Sequence, residues 1–213
     1  MTPKLVIFDC DGVLVETESH TDAALSAYFT AHGLPMTPAR ISELFVGGTM
    51  DGAGEEAIRR GATLPNNWLN EIYEKVFASL REGVEVFDGL FALLDALDDA
   101  GIAVAVASNG PMAKMKVSLG PSGLWDRLQG RIYSREHYAP KPAPEMLLAA
   151  CRDNGVAPSD AVMIDDTTAG TRAADAAGMP AIGFAAASNA DKLRATGHPV
   201  VFTMDEVRAR LGV

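Results

Sequence analysis

Asp9 and Asp11 stand two residues apart at the end of a short apolar run, in the sequence Leu5-Val6-Ile7-Phe8-Asp9-Cys10-Asp11-Gly12. In an extended segment alternate side chains point the same way, so both carboxylates face one side and Cys10 faces the other. Gly12 then permits a tight turn or a close backbone approach that a side chain would obstruct. A second acidic pair, Asp165-Asp166, follows the apolar run Ala161–Ile164 and precedes Thr167-Thr168-Ala169-Gly170. If adjacent strand ends bring the two pairs together, the carboxylates repel unless a hard dication lies among them. Mg²⁺, which prefers oxygen ligands in octahedral geometry, is the simplest resolution. Asp is also a favoured helix N-cap, and for Asp165 or Asp166 taken alone that structural role is as good a reading as a metal ligand.

Cationic and hydroxyl partners come from two further places. Ser108-Asn109-Gly110 follows the apolar run Ile102–Ala107 and precedes a helical pattern. A hydroxyl, backbone N–H groups and a helix N-terminus are thereby available to an anion, although the same tripeptide is also an ordinary turn. Lys141 lies in Ala139-Pro140-Lys141-Pro142-Ala143-Pro144-Glu145, where prolines on both sides restrict the backbone. Taken alone it reads as a solvated loop lysine.

A scaffold must bring these segments together. Six short runs rich in Val, Ile and Ala read as strands buried on both faces, the pattern of a parallel sheet: Leu5–Phe8, Ile102–Ala107, Arg131–Tyr133, Ala161–Ile164, Ala181–Phe184 and Val200–Phe202. Helical patterns alternate with the later ones. Leu90, Leu93, Leu94 and Leu97 repeat at helical spacing before Gly101, and comparable stretches end at Gly155 and Gly178. Alternating strand and helix predicts an α/β, doubly wound, Rossmann-like sheet with its ligands at the C-terminal strand ends. Between Glu16 and Phe87, roughly seventy residues pass with no convincing strand, far more than a crossover needs. The expected organisation is a core over 1–15 and 88–213 with a helical insert over 16–87. Gly33-Leu-Pro, Gly47-Gly48 and Thr63-Leu-Pro divide the insert into about four helices, the clearest carrying Leu69, Ile72, Tyr73, Val76, Phe77 and Leu80 on one stripe.

Composition narrows the function classes. The 213 residues are 48% hydrophobic and 22% charged, with a net charge of −10. That balance argues against a nucleic-acid partner, which would require clustered Lys and Arg to neutralise phosphates. No apolar run approaches the length of a membrane span, and Leu5–Phe8 is too short for a signal-peptide core, so the expected location is the cytoplasm. Cys10 and Cys151 form no CxxC pair and read as reduced thiols.

In chain order, Asp9-x-Asp11-Gly12-Val-Leu-Val, Ser108-Asn109-Gly110, Lys141-Pro142 and Ile164-Asp165-Asp166-Thr-Thr-Ala-Gly170 together resemble the haloacid dehalogenase superfamily. The resemblance is to its phosphatase and phosphomutase branch, with a helical-bundle cap inserted after the first motif, and it spans essentially the whole chain. It implies that Asp9 is the nucleophile and forms an aspartyl-phosphate. Asp11 would protonate the leaving oxygen and later activate water. Ser108, Asn109 and Lys141 would bind the phosphoryl group. Asp9, Asp11 through its backbone carbonyl, Asp165 and Asp166 would form the metal site for Mg²⁺. The implied partner is a small phosphorylated metabolite, with no nucleic acid or membrane, and the chain is expected as a monomer or weak homodimer.

Dehalogenases of this fold lack the second aspartate, because a carbon–halogen bond needs no protonated leaving group; Asp11 therefore favours the phosphoryl branch. The stretch from Ser108 through Pro111 to Lys114-Met115 is similar to that of sugar-phosphate and sugar-acid phosphatases. β-Phosphoglucomutase-like members carry a cap arginine at a position that falls near Met50 and a cap histidine one residue from His20, and both departures weaken the mutase alternative. Arg40, Arg59, Arg60 and Lys75 are candidate substrate contacts in the insert, each weighed against an ordinary solvated helix charge. A phosphorylatable signalling module is a further alternative, disfavoured by the order of the acidic segments and by the insert.

Overall fold

In the computed structural model, residues 2–45, 49–186 and 189–213 are described. The segment Leu5–Phe8 forms strand β1, and all four of its residues are buried. With no polar side to show water, it occupies the middle of a sheet. The other strands of this sheet are β4 (Ala103–Ser108), β5 (Ile132–Ser134), β6 (Ala161–Asp165), β7 (Ala181–Phe184) and β8 (Val200–Val201). Their order is β5-β4-β1-β6-β7-β8, with every neighbouring pair parallel. Helices α5 (Leu90–Asp99), α6 (Met112–Leu119), α7 (Leu124–Leu128), α8 (Glu145–Asp153), α9 (Thr168–Ala177), α10 (Ala190–Arg194) and α11 (Met204–Leu211) alternate with them. The α/β sheet read from the sequence is the one observed.

Two strand ends differ from the sequence reading in a way that bears on chemistry. β4 runs on to Ser108, which pairs with Ser134, and β6 runs on to Asp165, which pairs with Gly183. Hydrophobic runs mark where a strand is buried, whereas the ladder continues as long as a neighbour offers backbone partners. Both residues are therefore held by sheet geometry rather than by loops. A short antiparallel pair, β2 (Val15–Glu16) with β3 (Glu85–Val86), was not legible as strand. Two residues carry no period.

The chain divides into two compact units, 1–16 with 85–213, and 17–84. The second contains α1 (Glu18–Ala31), α2 (Pro38–Phe45), α3 (Met50–Arg59) and α4 (Trp68–Glu82). Its interior is built from Leu25, Tyr28, Phe29, Ile41, Ala57, Ile72, Val76 and Leu80, so three residues of the apolar stripe of α4 are core, while Leu69, Tyr73 and Phe77 are half-buried. Gly54 lets α3 close on Trp68: a Cβ there would lie 2.0 Å from the indole ring. The Gly47-Gly48 break lies outside the described residues. Among the described residues, no helix is long and apolar enough to cross a membrane.

The sheet order reverses direction at β1, which is flanked by β4 on one side and β6 on the other. Chain connections leave such a switch point in opposite directions and open a crevice at the C-terminal strand ends. Asp9, Ser108 and Asp165 all lie there.

Candidate active site

Asp9 directly follows β1. Its backbone N–H donates to the Ile164 carbonyl at 2.9 Å, which locks it to β6, and its Oδ1 accepts from the Cys10 N–H at 2.7 Å. The chain then turns tightly. Gly12 has φ +75°, and its N–H donates to the Val15 carbonyl at 2.9 Å. A Cβ at Gly12 would fall 2.5 Å from Oδ2 of Asp166. The glycine thus serves both the turn and the close approach of the second acidic pair.

Lys141 lies between two carboxylates. Its Nζ is 2.6 Å from Oδ2 of Asp165 and 3.0 Å from Oδ1 of Asp9, with the lysine side chain only 2% exposed and Asp165 fully buried. Burial opposes the ammonium, but the Asp165 and Asp9 charges more than offset it and hold the lysine above its ordinary pKa. Asp9 is pushed up to about 7, first by burial and then by Asp165 and Asp11, while Lys141 pulls the other way. The Asp9 carboxylate therefore carries an electrostatic cost that a further cation would relieve.

Asp165 has both oxygens engaged. Oδ2 accepts from Lys141, and Oδ1 accepts from the Thr167 N–H at 2.9 Å and the Thr167 hydroxyl at 2.6 Å. The N-cap of α9 is Thr167, whose Oγ1 accepts from the Gly170 N–H at 3.1 Å. Neither aspartate fills the N-cap role that its residue type favours. Asp165 instead braces the residue that does. Gly170 packs against this carboxylate so closely that a Cβ would lie 1.8 Å from it. The Asp166 carbonyl accepts from the Asn189 side chain at 2.8 Å.

Ser108 is buried, and its Oγ accepts from the Gly110 N–H at 3.0 Å. The Asn109 side chain meets the backbone of Lys141 on both edges: its Oδ1 accepts from the Lys141 N–H at 2.8 Å and its Nδ2 donates to the Lys141 carbonyl at 3.0 Å. The irregular proline-rich loop is thereby fastened to the end of β4. The carboxylate of Asp11 is paired with Lys114, Oδ2 to Nζ at 2.8 Å.

The fold thus brings together Asp9, Lys141 and Asp165 by direct contact, with Asp166 beside them, and joins Asn109 to Lys141. One oxygen each from Asp9, Asp165 and Asp166 lies within 4.8 Å of the others. No other set of three or more His, Cys, Asp or Glu side chains among the described residues could hold a metal. The donors are all hard oxygens, the set is anionic, and Gly12 leaves room for Asp166, so a divalent hard cation fits. The Asp11 carboxylate is outside this cluster.

Lys114, Thr167 and Asn189 escaped sequence reasoning as supports. Lys114 in the first turn of α6 carried the only signal, a cation at the wrong end of a helix dipole. In the helical unit, Arg40 pairs with Glu43 at 2.6 Å, Arg59 and Arg60 both pair with Glu56 at 2.6 Å, and Lys75 is exposed. His20 meets the Ser79 hydroxyl at 2.7 Å within the same unit.

The model of the haloacid dehalogenase-like hydrolase family matches residues 6–184. The chain belongs to that family. Among relatives of this hydrolase, 6-phosphogluconate phosphatase of Escherichia coli is 28% identical over 186 residues, covering 86% of this chain and 83% of that protein. A β-phosphoglucomutase of Mycobacterium tuberculosis is 29% identical, covering 94% of this chain and 89% of the relative. The structure of a family hydrolase from Deinococcus radiodurans, solved with bound phosphate and sodium, superposes with a TM-score of 0.84 at 27% identity, covering 99% of this chain and 95% of that one.

Proposed function

We propose that this hydrolase is a Mg²⁺-dependent phosphatase that cleaves a small phosphorylated metabolite, of the sugar-phosphate or sugar-acid-phosphate class, through an aspartyl-phosphate on Asp9. The observation that carries the reading is the convergence of Asp9, Lys141, Asp165 and Asp166 at the sheet's switch point.

Asp9 attacks phosphorus with a carboxylate oxygen, and the ester P–O bond breaks as Asp11 gives its proton to the leaving oxygen. Covalent catalysis of this kind divides one difficult displacement into two easier ones. Asp11 then takes a proton from water, the hydroxide attacks phosphorus, and inorganic phosphate leaves with Asp9 restored. Lys141 orients the Asp9 carboxylate and, with the Ser108 hydroxyl and the Asn109 backbone N–H, binds phosphoryl oxygens whose charge is redistributed in the transfer. Asp9, Asp166 and the Asp11 backbone carbonyl would hold Mg²⁺, with Asp165 adjacent. Bound there, the ion screens repulsion between the anionic nucleophile and the phosphate.

Phosphate release from a panel of phosphorylated metabolites tests this directly. Activity is expected with Mg²⁺, absent with EDTA, and lost in a folded Asp9→Asn variant. Full activity in Asp9→Asn removes the nucleophile assignment. The mycobacterial relative keeps one alternative, a sugar phosphomutase using the same intermediate. Incubation with β-glucose 1-phosphate and a bisphosphate primer separates the two, because a mutase returns the 6-phosphate and a phosphatase returns free phosphate.

A further inference from the structure

Lys114 occupies an expensive position. It lies in the first turn of α6, where the helix dipole presents its positive end and disfavours a cation. Its side chain is only 17% exposed, so the ammonium has also lost most of its water. Lys116, two residues along the same helix, is exposed, as a helix lysine ordinarily is. Nor can Lys114 cap the helix, since an ammonium only donates; the Met112 N–H donates to Oε2 of Glu136 at 2.9 Å.

What answers both costs is Asp11, whose Oδ2 lies 2.8 Å from Nζ, with the aspartate side chain itself 24% exposed. The pair runs over Gly110: a Cβ there would be 3.6 Å from Oδ2 of Asp11 and 3.9 Å from Cδ of Lys114. Gly110 in turn donates its N–H to Ser108 and accepts from the Ser134 hydroxyl at 2.8 Å. Lys114 therefore ties the Asp11 carboxylate to the rigid end of β4 through a fixed helix.

We propose that Lys114 is a positioning residue, holding Asp11 in the orientation from which it takes a proton from the attacking water. The inference rests on the proposed phosphatase reading but assigns a residue outside that machinery. Misplacement of a proton-transfer group by about 1 Å costs on the order of 10²-fold in rate, so even a modest swing of the carboxylate is measurable.

A double-mutant cycle on the full chain with Mg²⁺ and p-nitrophenyl phosphate tests it. That leaving group departs without a proton, so the cycle reads Asp11 chiefly as the base toward water. Lys114→Met should lower kcat by about 10–100-fold with KM little changed. Asp11→Asn should lower it further, and Asp11→Asn/Lys114→Met should match Asp11→Asn alone within about 2-fold. Lys114→Arg, which keeps a cation, should recover part of kcat. Losses that multiply in the double variant, or a loss of Lys114→Met expressed in KM, overturn the inference while leaving the phosphatase reading intact. If Lys114→Met melts below the assay temperature, Lys114→Gln serves in its place. A wild-type protein inactive on every phosphomonoester removes the phosphatase reading, and this inference with it.

Discussion

Replacing Lys141 by Met isolates the electrostatics of the site from its chemistry. The ammonium is 2% exposed and lies 2.6 Å from Asp165 and 3.0 Å from Asp9, so its loss leaves two buried carboxylates facing each other. Removing one partner of a buried ion pair costs about 3–5 kcal/mol, because the remaining charge keeps its desolvation penalty and loses its compensation. For a chain of this size each kcal/mol lowers Tm by roughly 2–4 °C, so Lys141→Met should melt about 6–20 °C below wild type in EDTA. The assay is thermal unfolding followed by circular dichroism. Two additions sharpen it. Mg²⁺ should stabilise Lys141→Met more than wild type, since the ion takes over part of the missing charge. Lys141→Met/Asp165→Asn should melt above Lys141→Met, since one of the two opposed charges is gone. An unchanged Tm in Lys141→Met, or a double variant less stable than the single one, refutes the claim that this triad is held by charge pairing.

Gly170→Ala sets two effects against each other. Ala is favoured over Gly in a helix by about 1 kcal/mol. The added Cβ, however, would lie 1.8 Å from the Asp165 carboxylate, and overpacking of this kind costs about 1–3 kcal/mol before the displaced hydrogen bonds are counted. A net fall in Tm together with lost phosphatase activity is expected, and a more stable, active variant would contradict the packing described. At alkaline pH Tyr133 reports on the sheet-bearing unit. Burial, and then the Asp153 carboxylate, push the Tyr133 hydroxyl up to about 12. The folded state thus holds its proton more tightly than the unfolded chain, and the stability this contributes is full below pH ~10 and lost as pH rises towards about 12. Burial and Glu71 push the Tyr28 hydroxyl up to about 12 as well. Ultraviolet titration should therefore show phenolate absorbance near pH 12 that Tyr133→Phe reduces and Tyr28→Phe/Tyr133→Phe removes; an undiminished absorbance in Tyr133→Phe would assign it elsewhere.

Much of this protein was determined by sequence alone, because its signals are local. Runs such as Leu5–Phe8 and Ala161–Ile164 are short and apolar throughout, the pattern of strands buried on both faces, and strands are what they form. Asp9, Ser108, Asn109, Lys141, Asp165 and Asp166 are each readable as strand-end or loop residues with the right chemistry. Their meaning depends on which strands are neighbours, and that is a property of topology. Only the placement of β1 between β4 and β6 puts Lys141 between Asp9 and Asp165 across a sequence separation that no period encodes. The same holds for supports whose partners lie far along the chain. Asn109 fastening the Lys141 backbone and Lys114 paired with Asp11 are contacts between segments distant in sequence. Sequence chose the groups that could do chemistry. The tertiary fold decided which oxygen faces which cation, because a charge pair worth several kcal/mol at 3 Å in a dry site has almost no value a few ångströms further off in water.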